Sequence, residues 1–190
     1  MPKEKDLSKI KDMQNATMKF VIKTGFMGLK MADVAKEAGI ATGTVYIYYK
    51  NKEALVNDVY IETKREIISQ IVVNDDVSDF YSIFRKVWFK YFLFCYHNPE
   101  KMMFVDQFLY SGYINDEVYD NVVSLYAPIY LLMEKAQAEN IIKVVDVEVF
   151  KSHLEGAIHE TIKMMIKRKI AYSDELAEVC FQMAWDALKK

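Results

Sequence analysis

The stretch MADVAKEAGIATGTVYIYY, residues 31–49, decides the fold. Its residues group into two short helical blocks, Met31 to Ala38 and Gly43 to Tyr49, with Gly39 between them. Helices this short persist only when they cross closely and bury their small faces against each other. Ala35 is small where the first must be approached, Gly39 suits a turn position with positive φ, and Val45 is an apolar anchor facing Val34 and Ala38. Thr42 is placed to cap the second helix, and Gly43 keeps its surface low. Thr44, Tyr46 and Tyr48 carry hydroxyls on the exposed side, and Lys52, in the first turn of a following helix, can set a positive charge against a phosphate. The pattern is that of a helix-turn-helix.

Before this stretch, Leu7, Ile10, Met13, Thr17 or Met18, Phe20 and Val21 recur at three- and four-residue steps, which predicts a helix from Leu7 to Lys23 ended by Gly25. After it, Asn51 is an N-cap for a fourth helix running towards Val72, with Leu55, Val59, Thr63, Ile67 and Ile71 in one four-residue row. Beyond the polar break Asn74-Asp75-Asp76, helical segments run from Val77 to His97, Pro99 to Tyr110 and Asp116 to about Glu139. Pro128 predicts a kink or interruption near Leu125 in the last of these. Asp146 and Ser173 cap two final helices, to Lys169 and Lys189. The chain reads as all-α, about nine helices, without internal repeat or strand alternation. Residues 1–52 form a three-helix helix-turn-helix domain, the fourth helix (52–72) is the mechanical link, and residues 53–190 form a larger helical domain.

The composition of the 190 residues agrees: 52% are apolar and 27% charged, with only 6 Gly and 3 Pro, so a core can be buried and little material is left for turns. No apolar run approaches the roughly 18–20 residues of a membrane span, and the start MPKEKDLSKIKD is too charged for the apolar segment of a signal peptide, so a cytoplasmic location is expected. Cys95 and Cys180 lie far apart with no C-x-x-C pair and suggest neither a disulfide framework nor a zinc ribbon. The net charge of −2 conceals an asymmetry. Residues 1–52 hold ten Lys against five Asp or Glu, net +5, which leaves 15 basic against 22 acidic residues, net −7, for the rest. A basic N-terminal segment is what neutralising DNA phosphates requires.

Catalysis has little to stand on. His97, His153 and His159 lack the i, i+4 spacing of a helical metal pair, and Gly39 to Gly43 follows a helix and lacks the Gly-Lys-Ser/Thr ending of a phosphate loop. No catalytic residue, metal ligand or cofactor is assigned, and the chain is read as a non-enzyme.

The sequence resembles the TetR family of bacterial regulators at Gly25-Phe26, at Asp33-Val34-Ala35 through Ala38-Gly39-Ile40, above all at Thr42-Gly43-Thr44-Val45-Tyr46, and at Lys52-Glu53-Ala54-Leu55. The match covers about residues 7–60; the C-terminal part is similar only in size and helical pattern. The resemblance implies an N-terminal DNA-binding domain, a C-terminal helical domain that forms a homodimer and encloses a pocket for a small-molecule effector, and repression relieved by that ligand. Carried onto matching positions, it makes Thr42, Gly43, Thr44, Tyr46, Tyr48 and Lys52 contacts to a double-stranded operator. Lys30 stands where the family commonly has a capping Thr or Ser, so that helix end loses a cap and gains a candidate phosphate contact. Tyr48 and Tyr49 replace the family's more usual His and Phe, and Tyr49 can still bury its ring.

Residues 80–130 are crowded with aromatics, which supply buried area with a polar handle on each Tyr. Phe84, Trp88, Tyr91, Phe108, Tyr113, Tyr126 and Tyr130 are the candidate pocket residues, and the nearest charges, Arg85, Lys86, Lys90 and Asp106, are few enough to suggest an uncharged or weakly charged effector. In the last two helices Leu154, Ala157 or Ile158, Thr161 and Met165 form one stripe, and Val179 or Cys180 with Met183 part of another. The resemblance makes these a two-fold four-helix interface, which would bring two DNA-binding heads to successive major-groove faces of a pseudo-palindrome. The competing reading is a helical adaptor that binds protein without sequence-specific DNA binding.

Overall fold

The computed structural model describes residues 6–73 and 79–190, and these form nine α-helices: α1 (Leu7–Gly28), α2 (Met31–Glu37), α3 (Thr42–Tyr48), α4 (Lys52–Ile71), α5 (Phe80–His97), α6 (Pro99–Leu109), α7 (Asp116–Ala138), α8 (Val147–Arg168) and α9 (Asp174–Leu188). The polar break Asn74–Asp76, the expected helix start at Val77, and Lys3 and Lys5 of the basic segment lie outside the described residues. Among the described residues the β-type pairing is one isolated bridge, Ile142 with Lys189. No helix among them is long and apolar enough to cross a membrane.

Side-chain caps set most helix starts. Asn51 Oδ1 accepts from the Ala54 amide at 2.8 Å ahead of α4, and Asp79, Asp146 and Ser173 do the same for α5, α8 and α9. Gly25, at φ 71°, interrupts the helical backbone inside α1. The interruption expected near Leu125 is absent: α7 continues through Pro128. A proline there removes one backbone bond, and burial of Tyr126 and Met133 on either side holds the helix together.

The chain packs as two units, one joining the chain up to Arg65 with Glu100–Val122, the other joining Glu66–Pro99 with Val123–Lys190. The first contains α1 to α3, most of α4, α6 and the first turns of α7. Met13, Val21, Val34, Val45 and Leu55 are fully buried in it. Its second cluster is aromatic: the Phe26 ring lies 5.6 Å from Phe104, 5.8 Å from Phe108 and 5.7 Å from Tyr113, and Tyr60 stacks on Phe108 at 4.0 Å. In the second unit α5 packs on α8 and α9, which also pack on each other. Phe181 of α9 sits against Phe84 and Trp88 of α5 at 5.9 and 5.6 Å. Arg85 lies over Phe89 and pairs with Glu178 on α9.

Helices α4 and α7 each give residues to both units. Along α4 the row Leu55, Val59, Thr63, Ile67, Ile71 is buried throughout. Thr63 tolerates this because its hydroxyl donates to the Val59 carbonyl at 2.6 Å.

Candidate functional site

The helix-turn-helix is built as its small residues require. The α2 end closes with the Ala38 amide on the Val34 carbonyl at 2.9 Å, Gly39 follows at φ 67°, and the Ile40 amide returns to the Ala35 carbonyl at 3.0 Å. Val45 is fully buried with Val34, Ala35 and Leu55, which fixes α3 by its inner side. Its other side is open: Thr42 and Gly43 are exposed, Tyr46 keeps 52% of its surface, and Thr44 is half-buried.

Thr42 does not cap this helix. Ala41 occupies the cap position and offers no side-chain acceptor, so Thr42 becomes the first helical residue and its hydroxyl stands at the surface. Lys30 occupies the equivalent position before α2, also without a side-chain cap bond, and its side chain is exposed. Tyr48 is half-buried, its hydroxyl accepting from the Asp6 amide at 3.2 Å. Lys52 donates one of its three N–H groups to the Phe26 carbonyl at 3.0 Å and lies 5.7 Å from the centre of the Tyr113 ring. Tyr49 is buried and donates to Asp58 at 2.6 Å, and Gln14 donates to the same carboxylate oxygen at 3.1 Å. Burial first, then the Asp58 carboxylate, raises the Tyr49 pKa far above a phenol's usual range, so it remains a neutral donor.

Gly43 is informative because the protein itself does not need it. Its φ is not positive, and a methyl group added there would meet no atom within 4 Å. Gly43→Ala should therefore leave stability unchanged or raise it by up to about 1 kcal/mol, since alanine is the better helix former. If another molecule approaches α3 at this point, the same change should weaken that binding about tenfold or more. Urea denaturation and DNA titration of one preparation separate the two effects; an affinity equal to wild type would remove Gly43 from the contact surface.

In the second unit, Phe84, Trp88, Tyr91, Tyr126 and Tyr130 line one cavity of about 70 Å³. The other two candidate pocket residues lie elsewhere: Phe108 is fully buried in the aromatic cluster of the first unit, and Tyr113 packs on Phe26 there. Apolar walls come also from Val87, Met133 and Ile158, and Ile71, the last residue of α4, is among the lining residues. The charges that reach the cavity are Lys151 and Glu155 of α8, which sequence reasoning passed over in favour of neighbours such as Arg85. Their signal was the spacing Glu148, Lys151, Glu155, which puts all three on one helix face. Lys151 donates to Glu148 at 2.9 Å and to the Tyr130 hydroxyl at 3.2 Å, Tyr130 donates to Glu148, and Tyr126 donates to Glu155 at 3.0 Å. Tyr91 shares a 2.6 Å hydrogen bond with His159 Nε2, both buried. Burial first, then nearby carboxylates, raises the pKa of Tyr91 and Tyr130, so both phenols stay neutral.

The α8 and α9 stripes divide. Ile158 and Met165 are buried within the protomer and Leu154 and Thr161 are half-buried, whereas Ala157, Val179 and Met183 are exposed, Met183 at 69%. Among the described residues no cluster of three His, Cys, Asp or Glu could hold a metal ion.

An exposed short helix with a glycine surface, seated across a tight turn on a second short helix in a basic segment, defines a helix-turn-helix DNA-binding module. Residues 15–59 match the family model of bacterial regulatory proteins, tetR family. An HTH-type transcriptional regulator of Haemophilus influenzae is 29% identical over 86 residues, a match covering 45% of this chain and 46% of that protein, so the chain spans about half the length of that relative. A TetR family transcription regulator from Marinobacter aquaeolei has the same fold over 97% of both chains, with a TM-score of 0.91 at 24% identity. FadR from Bacillus subtilis, solved with stearoyl-CoA, follows at a TM-score of 0.70 and 18% identity over 93% of this chain and 98% of its own. Residues 15–59 thus match the N-terminal domain of the tetR family, and the chain as a whole has the fold of the transcription regulators it is similar to.

Proposed function

We propose that the protein is a ligand-responsive transcriptional repressor that binds a pseudo-palindromic operator as a homodimer and is released by a small, largely apolar or aromatic effector. The observation that carries the DNA half is the α3 surface: Thr42, Gly43 and Tyr46 stand exposed over a fully buried Val45 anchor, in the net-positive part of the chain. Thr44, Tyr48, Lys30 and Lys52 flank it, Lys52 with two N–H donors beyond the one given to Phe26. The effector half is supported by the apolar cavity and by the stearoyl-CoA bound to FadR, a protein of similar fold. Helix α4 connects the two halves. It starts beside the helix-turn-helix, and its last residue, Ile71, lines the cavity. An effector that favours one position of α4 shifts the population of head spacings away from the one that spans both half-sites.

The test is a titration of purified protein against its own upstream intergenic DNA at two salt concentrations, with an unrelated duplex as competitor. Tight, competitor-resistant binding that weakens with salt is expected. Tyr46→Ala should lower it by about 10–100-fold, the cost of one good base or backbone contact. No preference over the competitor, followed by an empty genome-wide fragment selection, would sink the regulator reading in favour of the adaptor.

A further inference from the structure

The polar groups around the cavity of the second unit are accounted for, with one exception. Tyr91 is bonded to His159, Tyr126 to Glu155, Tyr130 to Glu148, and Lys151 to Glu148 and Tyr130. Trp88 is not. It is 3% exposed, lines the cavity, and its indole N–H is buried with no acceptor among the described residues. Buried N–H groups are rarely left unpaired, because water's hydrogen bond has been given up with nothing in return. The one cation on the wall, Lys151, is already paired with Glu148, and Glu155 stands nearby, so the lining has no unpaired positive charge to offer an anion.

We infer that the effector is an uncharged, mainly apolar molecule carrying one hydrogen-bond acceptor, such as a carbonyl oxygen, and that the Trp88 indole N–H is the donor that selects it. This rests on the proposal that the cavity is the effector site. The donor is fixed in place: the Trp88 ring stacks on Phe92 at 5.1 Å and meets Phe181 edge-on at 5.6 Å, so its direction does not have to be ordered by the ligand. The surrounding walls discriminate by size and apolarity; Trp88 adds chemistry. Trp88 also borders a groove between α8 and α9, with Ala157, Cys180 and Met183, where a second protomer could supply the acceptor instead.

The probes are acetophenone and α-methylstyrene, planar molecules of one shape that differ in C=O against C=CH2. Both are larger than the cavity as it stands, and Met133, unbranched and adaptable, is the wall residue able to give way for either. The sequence holds two tryptophans, Trp88 and Trp185, so a spectrum of the 15N-labelled wild-type protein has two indole N–H signals, and Trp88→Phe assigns them. Acetophenone should move the Trp88 indole proton downfield, and α-methylstyrene should not. The ratio of the two Kd values should change about tenfold between wild type and Trp88→Phe, a comparison in which the probes' different hydrophobicity cancels. Equal shifts from both probes, or an unchanged ratio, overturns the assignment of Trp88. Binding of neither probe overturns the cavity as the site of such a ligand, while operator binding by the same preparation separately tests the regulator. A Trp88→Phe protein that loses its dimer and keeps the wild-type probe ratio gives the indole to the partner protomer and overturns the inference.

Discussion

Phe108→Ala is expected to remove about 3–5 kcal/mol of stability, a large share of the roughly 5–15 kcal/mol that holds a domain of this kind folded. Phe108 is fully buried, stacked at 4.0 Å on Tyr60 of α4 and set edge-on at 5.8 Å to Phe26. Truncation leaves a cavity against the rings of Tyr60, Phe26 and Phe104, which cannot all collapse onto an alanine, because Phe26 is also held by Tyr113. The effect should reach the DNA surface. Phe26 supplies the carbonyl that receives Lys52, and Lys52 lies over Tyr113, so loosening the rings frees the start of α4 beside α3. Denaturant unfolding followed by far-UV circular dichroism measures the loss, and Phe108→Leu, which refills much of the volume, should recover more than half of it. A loss below about 1 kcal/mol for the alanine variant would mean that α6 contributes little to this unit.

The same cluster shows where the sequence was legible and where it was not. The helix-turn-helix could be read because everything it needs lies within nineteen residues: Gly39 at the turn, Val45 four positions after Ala41, small Ala35 where α3 crosses. Thr42 read as the cap is a shift of one residue, and helix ends are the least determined part of any helix. In the sequence Phe108 and Tyr113 fall among the pocket aromatics, because composition marks residues 80–130 as one aromatic tract. What separates them is pairing across the chain: α6 meets Phe26 and Tyr60, while Phe84, Trp88, Tyr91, Tyr126 and Tyr130 meet around the cavity. Periodicity reports which face of a helix is apolar and does not report which partner buries it. The α8 stripe failed to resolve for a related reason. Ala157 and Ile158 are about 100° apart on the helix, both apolar, and only packing shows that Ile158 turns in and Ala157 out. The charged trio Glu148, Lys151 and Glu155 reads as an ordinary solvated face until Tyr126 and Tyr130 are seen to reach it from α7.

That division of the α8 and α9 faces makes the proposed dimer testable without confusing assembly and folding. Met183 is 69% exposed in the protomer, and Val179, one turn earlier, is 58% exposed, on a helix whose opposite side buries Phe181 and Ala184. An apolar pair left open beside Ala157 of α8 is what a two-fold four-helix contact would cover. Met183→Glu puts two like charges close to each other across such an axis in the apolar centre of the contact, where neither can be hydrated or paired. The variant should keep its helix content and elute as a monomer under conditions where wild type elutes as a dimer. Its operator affinity should fall by about 100-fold or more, because the second head is no longer delivered at high effective concentration by the first. Ile158→Ala provides the contrast. That side chain is buried inside the protomer, so its loss should cost about 2–5 kcal/mol of folding stability instead. A Met183→Glu protein that remains dimeric and binds operator like wild type would place the two-fold contact on another surface, and Val149, exposed near the start of α8, is where the search would resume.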